Sequence, residues 1–178
     1  IPGTVGGALA MNAGAFGGQT WENVTSVEVI NHRGDISTRH ASEYQYGYRY
    51  VESFENEWFV GASFNLELDE QGTKVVSIKE LLAQRAHSQP IGKKNCGSVF
   101  KNPQQGHAAS LIEHCGLKGF AIGGACVSSK HANFIINEKQ ATAEDIEVLM
   151  EHVQNTVKQQ CNIELVPEVK FLGEKVAI

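Results

Sequence analysis

The apolar residues of this chain change their spacing once. Ahead of residue 72 they alternate, as in "TSVEVI" and "VGASFNLEL", at the period of strands with one buried face; beyond it they recur at helical spacing, as in Ile146, Leu149, Met150, Val153 and Val157. A β-rich region followed by a helix-rich one predicts an α+β fold. The charged insert "LDEQGTK", with Gly72 at its centre, marks the boundary, so residues 1–72 and 73–178 read as two domains. A chain of 178 residues, 42% hydrophobic, is long enough for one ordinary core or two small ones.

Within the first region, "NHRG" between "TSVEVI" and "DISTR" predicts a β-hairpin, and "VGASFNLEL" a strand whose Val60, Ala62, Phe64, Leu66 and Leu68 face inward. In the second, Ser77 and Glu80 form an S-x-x-E signal for a helix running toward Gln89-Pro90. Ala108, Leu111, Ile112 and Cys115 spell a short helix stopped by Gly116, "ANFIIN" a strand, and Thr142 with Asp145 the start of the longest helix, which should pack on a sheet. The closing "IELVPEVKF" reads as a strand with Ile163, Leu165, Pro167, Val169 and Phe171 on one face and Glu168 on the other. Pro167 makes it an edge strand or a broken one.

Charge and cysteine usage narrow the partners. The net charge of −5 comes without a polybasic run, which argues against nucleic acid. No apolar run has membrane-spanning length, and the apolar start lacks the charged lead of a signal peptide, so a soluble protein with no membrane partner is expected. Cys96, Cys115, Cys126 and Cys161 have no CxxC spacing and suit reduced thiols in a cytoplasmic protein. His114, Cys115, Cys126 and His131 could in principle gather around a metal, but buried structural cysteine is commoner, and no metal is assigned.

Six of the chain's 18 glycines fall in "IPGTVGGALAMNAGAFGG". They admit two readings: small residues that let a helix sit tightly on a sheet, or backbone N–H groups offered to a pyrophosphate at a helix start. No GK[ST] and no G-x-G-x-x-G accompanies them. Arg49, in "YGYRY", would suit a carboxylate by its planar fork, although an arginine among tyrosines is more often a stacked surface residue. Glu168 is ordinary as a solvent-facing strand residue, yet beside Pro167 and between Val166 and Val169 it would be partly desolvated and fit to serve as an acid. Ser98, in "NCGSVFKNP", lacks the second glycine of G-x-S-x-G. It reads either as a turn residue or, with Lys101 nearby, as a proton donor to a group that becomes basic only during reaction.

Five motifs, "IPGTVGGALAMNAGAFG", "YGYRY", "CGSVFKNP", "IGGACVSSKHANFIIN" and "LVPEV", occur in the order found in UDP-N-acetylenolpyruvoylglucosamine reductases, the MurB family, and the resemblance covers nearly the whole chain. It implies a flavin-binding region of the vanillyl-alcohol-oxidase type, here represented by its second subdomain in residues 1–72, followed by a C-terminal α+β substrate domain in 73–178. The subdomain that precedes "IPGTVGG" in this family is missing from the sequence, so the chain is expected to be a fragment that holds FAD weakly or not at all, and exposed apolar surface left by that loss favours self-association. The short connection after "GASFNLEL" resembles the type II enzymes.

The resemblance also implies the chemistry: NADPH reduces FAD, and reduced FAD delivers hydride to the enolpyruvyl group of UDP-N-acetylenolpyruvoylglucosamine, giving UDP-N-acetylmuramate for peptidoglycan. Arg49 matches the family's active-site arginine, Ser98 its proton donor and Glu168 its catalytic glutamate. Ile1, Pro2, Gly3, Thr4, Gly6, Gly7, Asn12 and Gly14 match the flavin loop, Arg85 a residue facing the flavin ring, and Lys101 and Asn102 the segment near the substrate's diphosphate. Val51, Ser88 and Phe16 depart from the family's usual serine, lysine and tyrosine. Two further readings remain from the residues alone: a non-catalytic sugar-nucleotide-binding or assembly module on the same fold, and a serine hydrolase, which the motif around Ser98 does not favour.

Overall fold

The computed structural model describes residues 3–70, 72 and 74–173, apart from the side chains of 74–76. The chain forms two compact units, Ile1–Ile78 and Lys79–Ile178.

In the first unit, helix α1 (Val5–Ala10) begins where the extended Thr4 turns its hydroxyl to accept the Gly7 N–H at 3.0 Å. A Cβ on Gly6 would lie 3.0 Å from the Phe59 carbonyl oxygen, so the missing side chain is what lets this helix approach its strand. Two-residue strands β1 (Gly14–Ala15) and β2 (Gly18–Gln19) pair with each other. The expected hairpin follows as β3 (Val24–Asn31) and β4 (Ile36–His40). Its turn is held by Asn31 Oδ1, which accepts the N–H groups of Arg33 at 2.9 Å and Asp35 at 3.0 Å, while Gly34 takes φ +86°. A second small hairpin joins β5 (Tyr46–Gly47) to β6 (Tyr50–Val51).

Strand β7 (Glu57–Phe64) pairs antiparallel with β3 to give the order β4-β3-β7. The expected inward set on this strand holds only for Ala62. Val60, Phe64, Leu66 and Leu68 are exposed: the register of β7 shifts between Glu28 and Val29 of β3, and Leu66 and Leu68 lie beyond the strand's end at Phe64. Glu28 faces Gly61 while Val29 faces Phe59, which leaves Val60 as the unpaired extra residue of a bulge and turns Phe59 inward. The buried core is Leu9, Trp21, Val24, Val27, Val29 and Tyr44. Trp21 packs tilted against Tyr44, ring centroids 4.7 Å apart, and donates its indole N–H to the Leu9 carbonyl at 2.8 Å.

Helix α2 (Lys74–Ser88) starts before Ser77, so Ser77 stands inside it and the S-x-x-E pair is not a cap. A cap needs a serine with non-helical backbone, and the helix is already under way. Lys130 Nζ donates to the Ala86 carbonyl at 2.6 Å, meeting an otherwise open carbonyl near the helix end.

The rest of the second unit is built around one helix. Helix α3 (Ala108–His114) stops at Gly116 as expected. Strands β8 (Ala121–Ile122), β9 (Ala125–Val127) and β10 (Ile135–Asn137) form an antiparallel sheet in the order β10-β9-β8. Helix α4 (Ala143–Cys161) opens with a reciprocal cap: Thr142 Oγ1 accepts the Asp145 N–H at 3.0 Å and Asp145 Oδ2 accepts the Thr142 N–H at 2.9 Å. Its Leu149, Met150, Val153 and Val157 are buried against β8, β9 and α3, at the spacing the sequence shows.

The expected closing strand is reduced to one antiparallel bridge, Phe100 to Pro167. Proline has no N–H with which to continue a ladder. The alternation survives without the strand: Leu165 is buried, and Ile163 and Val169 pack on the core.

Candidate active site

Ser98 lies on a short segment fixed at both ends. Upstream, Asn95 Oδ1 accepts the Gly97 N–H at 2.9 Å. Downstream, Asn133, only 4% exposed, accepts the Phe100 N–H at 3.0 Å and donates to the Phe100 carbonyl at 2.8 Å, and its own carbonyl takes the Val99 N–H at 2.9 Å. Three bonds from one buried asparagine hold the backbone on which the half-buried Ser98 is presented. Asn133 in turn donates its N–H to His131 Nδ1 at 3.3 Å, and burial holds His131 below its ordinary value, in the neutral form that can accept.

Glu168 reaches the same place from the far end of the chain. Its N–H donates to the Val99 carbonyl at 2.8 Å, and Lys101 N–H donates to the Val166 carbonyl at 2.8 Å, on either side of the Phe100–Pro167 bridge. The backbone that carries Ser98, Lys101 and Asn102 therefore runs beside the backbone that carries Glu168, which is half-buried. Asn102 Oδ1 accepts the Ala108 N–H at 3.0 Å and so fixes the entry to α3. On α2, Arg85 donates to Gln89 Oε1 at 2.9 Å, and Ser88 turns its hydroxyl back to the Gln84 carbonyl at 3.1 Å.

The remaining expected residues belong to the first unit. Arg49 sits in the two-residue turn between β5 and β6 with φ +54°, a left-handed backbone that a long side chain seldom adopts, at a cost of about 1 kcal/mol. Its guanidinium lies 5.6 Å from the Tyr48 ring centroid. Asn12, 2% exposed, ties this turn to the glycine-rich loop: it donates to the Gly47 carbonyl at 2.9 Å and to Gln19 Oε1 at 2.8 Å, and accepts the Trp21 N–H at 3.2 Å. Gly3, Thr4 and Gly7 are exposed at the start of α1. A Cβ on Gly14 would come within 2.8 Å of the Gly18 carbonyl oxygen, a close backbone approach inside the loop. Ile1 and Pro2 lie outside the described residues.

Sequence reasoning passed over Asn133, although a lone asparagine ahead of the apolar run "FII" was a usable signal of a buried polar clamp. It also passed over the reason for "IGG". A Cβ on Gly123 would strike the Asp145 carboxylate, and one on Gly124 would lie 2.5 Å from Ala141 N, so the β8–β9 turn sits directly on the start of α4. Gly124 N–H donates to Asp145 Oδ2 at 3.2 Å, and the bonds from Thr142 and Gly124 hold that carboxyl below the usual range.

Residues 89–172 match the family model described as UDP-N-acetylenolpyruvoylglucosamine reductase, C-terminal domain. The chain is 53% identical over 175 residues to the UDP-N-acetylenolpyruvoylglucosamine reductase of Legionella pneumophila (strain Corby), covering 98% of this chain and 57% of that protein. It is 52% identical over 173 residues to the enzyme of the same name from Coxiella burnetii (strain Dugway 5J108-111), covering 97% of this chain and 55% of that protein. The crystal structure of UDP-N-acetylenolpyruvylglucosamine reductase (MurB) from Thermus caldophilus superimposes with a TM-score of 0.80 at 33% identity, over 93% of this chain and 59% of that one. The chain thus spans little more than half the length of the relatives it matches. The part of the chain that this family model matches, residues 89–172, is the part that carries Ser98, Lys101, Asn102, Asn133 and Glu168.

Proposed function

We propose that the protein to which this chain belongs reduces UDP-N-acetylenolpyruvoylglucosamine to UDP-N-acetylmuramate in the cytoplasm, with NADPH as hydride source and FAD as carrier. The unit Lys79–Ile178 is then the sugar-nucleotide domain, and Ile1–Ile78 the second subdomain of a flavin region of the vanillyl-alcohol-oxidase type. The observation that carries this reading is the pairing of Val99–Lys101 with Val166–Glu168, which sets a hydroxyl-bearing and a carboxyl-bearing segment side by side.

The residues of the first unit fit a flavin dinucleotide. Gly3 and Thr4 stand exposed at the start of α1, where an anionic diphosphate is favoured, while the Gly7 N–H is taken by Thr4 Oγ1 and Gly6 lies against the Phe59 carbonyl. Asn12 and Gly14 shape the loop from within: the asparagine spends its amide on Gly47, Gln19 and Trp21. Arg85 is the residue of the second unit assigned to the flavin ring. Bound FAD, once reduced, supplies the hydride that the enolpyruvyl β-carbon receives.

Everything else falls to this chain's own side chains. As negative charge builds on the substrate's α-carbon and carboxylate, the Arg49 fork and Glu168 stabilise it by charge and hydrogen bonding. Ser98 gives its proton to the α-carbon. An alcohol hydroxyl is too weak an acid for most substrates, but a carbanion formed beside it is basic enough to take that proton. The clamp from Asn133 holds the serine at a fixed place while this happens. Lys101 and Asn102 meet the diphosphate.

The test is Ser98→Ala in the full-length enzyme, followed by stopped-flow absorbance of the flavin. Reduction by NADPH should keep its rate, since it needs no proton on the substrate carbon, while reoxidation by the enolpyruvyl substrate slows by about a thousandfold or more. An equal loss in both halves would remove Ser98 from the role assigned.

A further inference from the structure

The last turn of α3 and the last turn of α4 each end in a cysteine. Cys115 is the residue that closes α3, and Cys161 is the final residue of α4. Although 46 positions apart in sequence, their sulfurs lie 3.8 Å from each other. Both thiols are free, half-buried and packed against the core of the second unit. Cys96 is exposed, and Cys126 turns its thiol to the Val127 carbonyl at 3.3 Å.

We propose that Cys115 and Cys161 form a reversible oxidative modification site: a dithiol that takes a peroxide and closes to an intramolecular disulfide joining α3 to α4. The balance is simple. One thiolate attacks the peroxide oxygen and becomes a sulfenic acid as the O–O bond breaks, releasing an alcohol, or water from hydrogen peroxide. The second thiol attacks that sulfur and water leaves, so two thiols and one hydrogen peroxide give one disulfide and two waters.

Two features favour closure. The approach needed is under about 2 Å, from 3.8 Å to a bonded sulfur pair. Side-chain rotation at two helix ends supplies it, because Gly116 at φ +71° and Asn162 at φ +56° follow the two cysteines and the helices stop there. Burial and the facing sulfur push the Cys115 thiol up to about 11, so it must lose its proton before it attacks an oxidised partner, and closure should quicken as the pH rises. The loop so closed contains the whole β8–β9–β10 sheet and α4, so the bridge restrains the unfolded chain across most of this unit's core.

The experiment uses the full chain, reduced and then exposed to hydrogen peroxide. The expected result is loss of two thiols per chain, a single cross-linked peptide containing residues 115 and 161 in non-reducing mass mapping, and a rise in the melting temperature of the α4-containing unit by roughly 5–10 °C, all reversed by dithiothreitol. Cys115→Ser and Cys161→Ser should each abolish both the bridge and the thermal shift. A bridge through Cys96 or Cys126, a disulfide between two chains, or sulfinic acid at position 115 or 161 without a bridge would overturn the proposal. Because reduced and oxidised forms of the unsubstituted chain are compared directly, the outcome does not depend on how the variants fold.

Discussion

The two units bury their apolar residues in different ways. Unit Ile1–Ile78 builds a small core on aromatic rings, with Trp21 and Tyr44 at its centre, and its three-stranded sheet keeps Ile36, Trp58, Val60 and Phe64 exposed. Unit Lys79–Ile178 wraps a larger aliphatic core around α4, where four apolar residues of that helix are buried. In the first unit a few interactions carry the fold, and Arg49, for which a role in the chemistry is proposed, stands on a strained turn tied in by Asn12. In the second the core is redundant, and Ser98, the proposed proton donor, stands on a segment clamped by Asn133. Both units therefore use one buried asparagine to fix a loop that apolar packing alone would leave to slide.

The strongest way to break this comparison is Trp21→Ala. Removing the largest buried side chain, together with its bond to Leu9, should cost the first unit about 3–5 kcal/mol. Hydrogen exchange read by mass spectrometry should show protection lost across β3 and β4 while α4 keeps its own. Equal loss in α4 would mean that the two units unfold as one body and that the contrast between their cores has no energetic meaning.

A smaller effect is expected where the second unit's redundancy does not help. Asn133→Ala leaves the N–H and carbonyl of the buried Phe100 without their partner, which should cost about 2–3 kcal/mol in urea denaturation. The sharper readout is local. On the function proposed above, this variant of the full-length protein should slow flavin reoxidation by the enolpyruvyl substrate while leaving reduction by NADPH intact, because the displaced group is the proposed proton donor, Ser98. A variant within about 0.5 kcal/mol of the parent, with normal reoxidation, would show that the Ser98 segment holds itself.

How much of this was legible in the sequence follows from which signals are local. Helix α4 could be read whole, since its cap and its apolar stripe lie within the element. The β3–β4 hairpin could be read because its turn is encoded in four residues. Strand β7 could not be phased, because the bulge opposite Glu28 is a property of the pairing and not of either strand alone. Ser77 misled for a related reason: a capping pattern says where a helix can start, whereas the residues ahead of it decide whether it already has. The site divides in the same way. Ser98 and Glu168 are 70 positions apart, and nothing in either stretch encodes the Val99–Glu168 bond that makes them neighbours. Only the order of the motifs joined them in advance, and Asn133, which belongs to none of the chemistry, went unweighed.

The smallest effect compares the units in acid. In the second, Asp145 accepts the N–H groups of Thr142 and Gly124, which stabilise its ionised form and lower its pKa from the ordinary 3.8. In the first, Glu57 takes two bonds from Arg39, at 2.6 and 2.7 Å, and is lowered from its ordinary 4.5. A carboxyl whose folded value is depressed contributes stability that is fully present above its unfolded value and disappears as the pH falls through the folded one. The onset of loss is set by the unfolded value, so the first unit should begin to weaken at a higher pH than the second. The check is the melting temperature of the parent against Glu57→Gln and Asp145→Asn from pH 7 to pH 3. The parent's advantage over Glu57→Gln should start to shrink near pH 5 and that over Asp145→Asn somewhat lower. An advantage that stays constant to pH 3 for either pair would mean that the carboxylate's bonds are matched in the unfolded chain or by the amide. Loss in the reverse order would mean that contacts elsewhere in each unit, and not these two carboxyls, govern its response to acid.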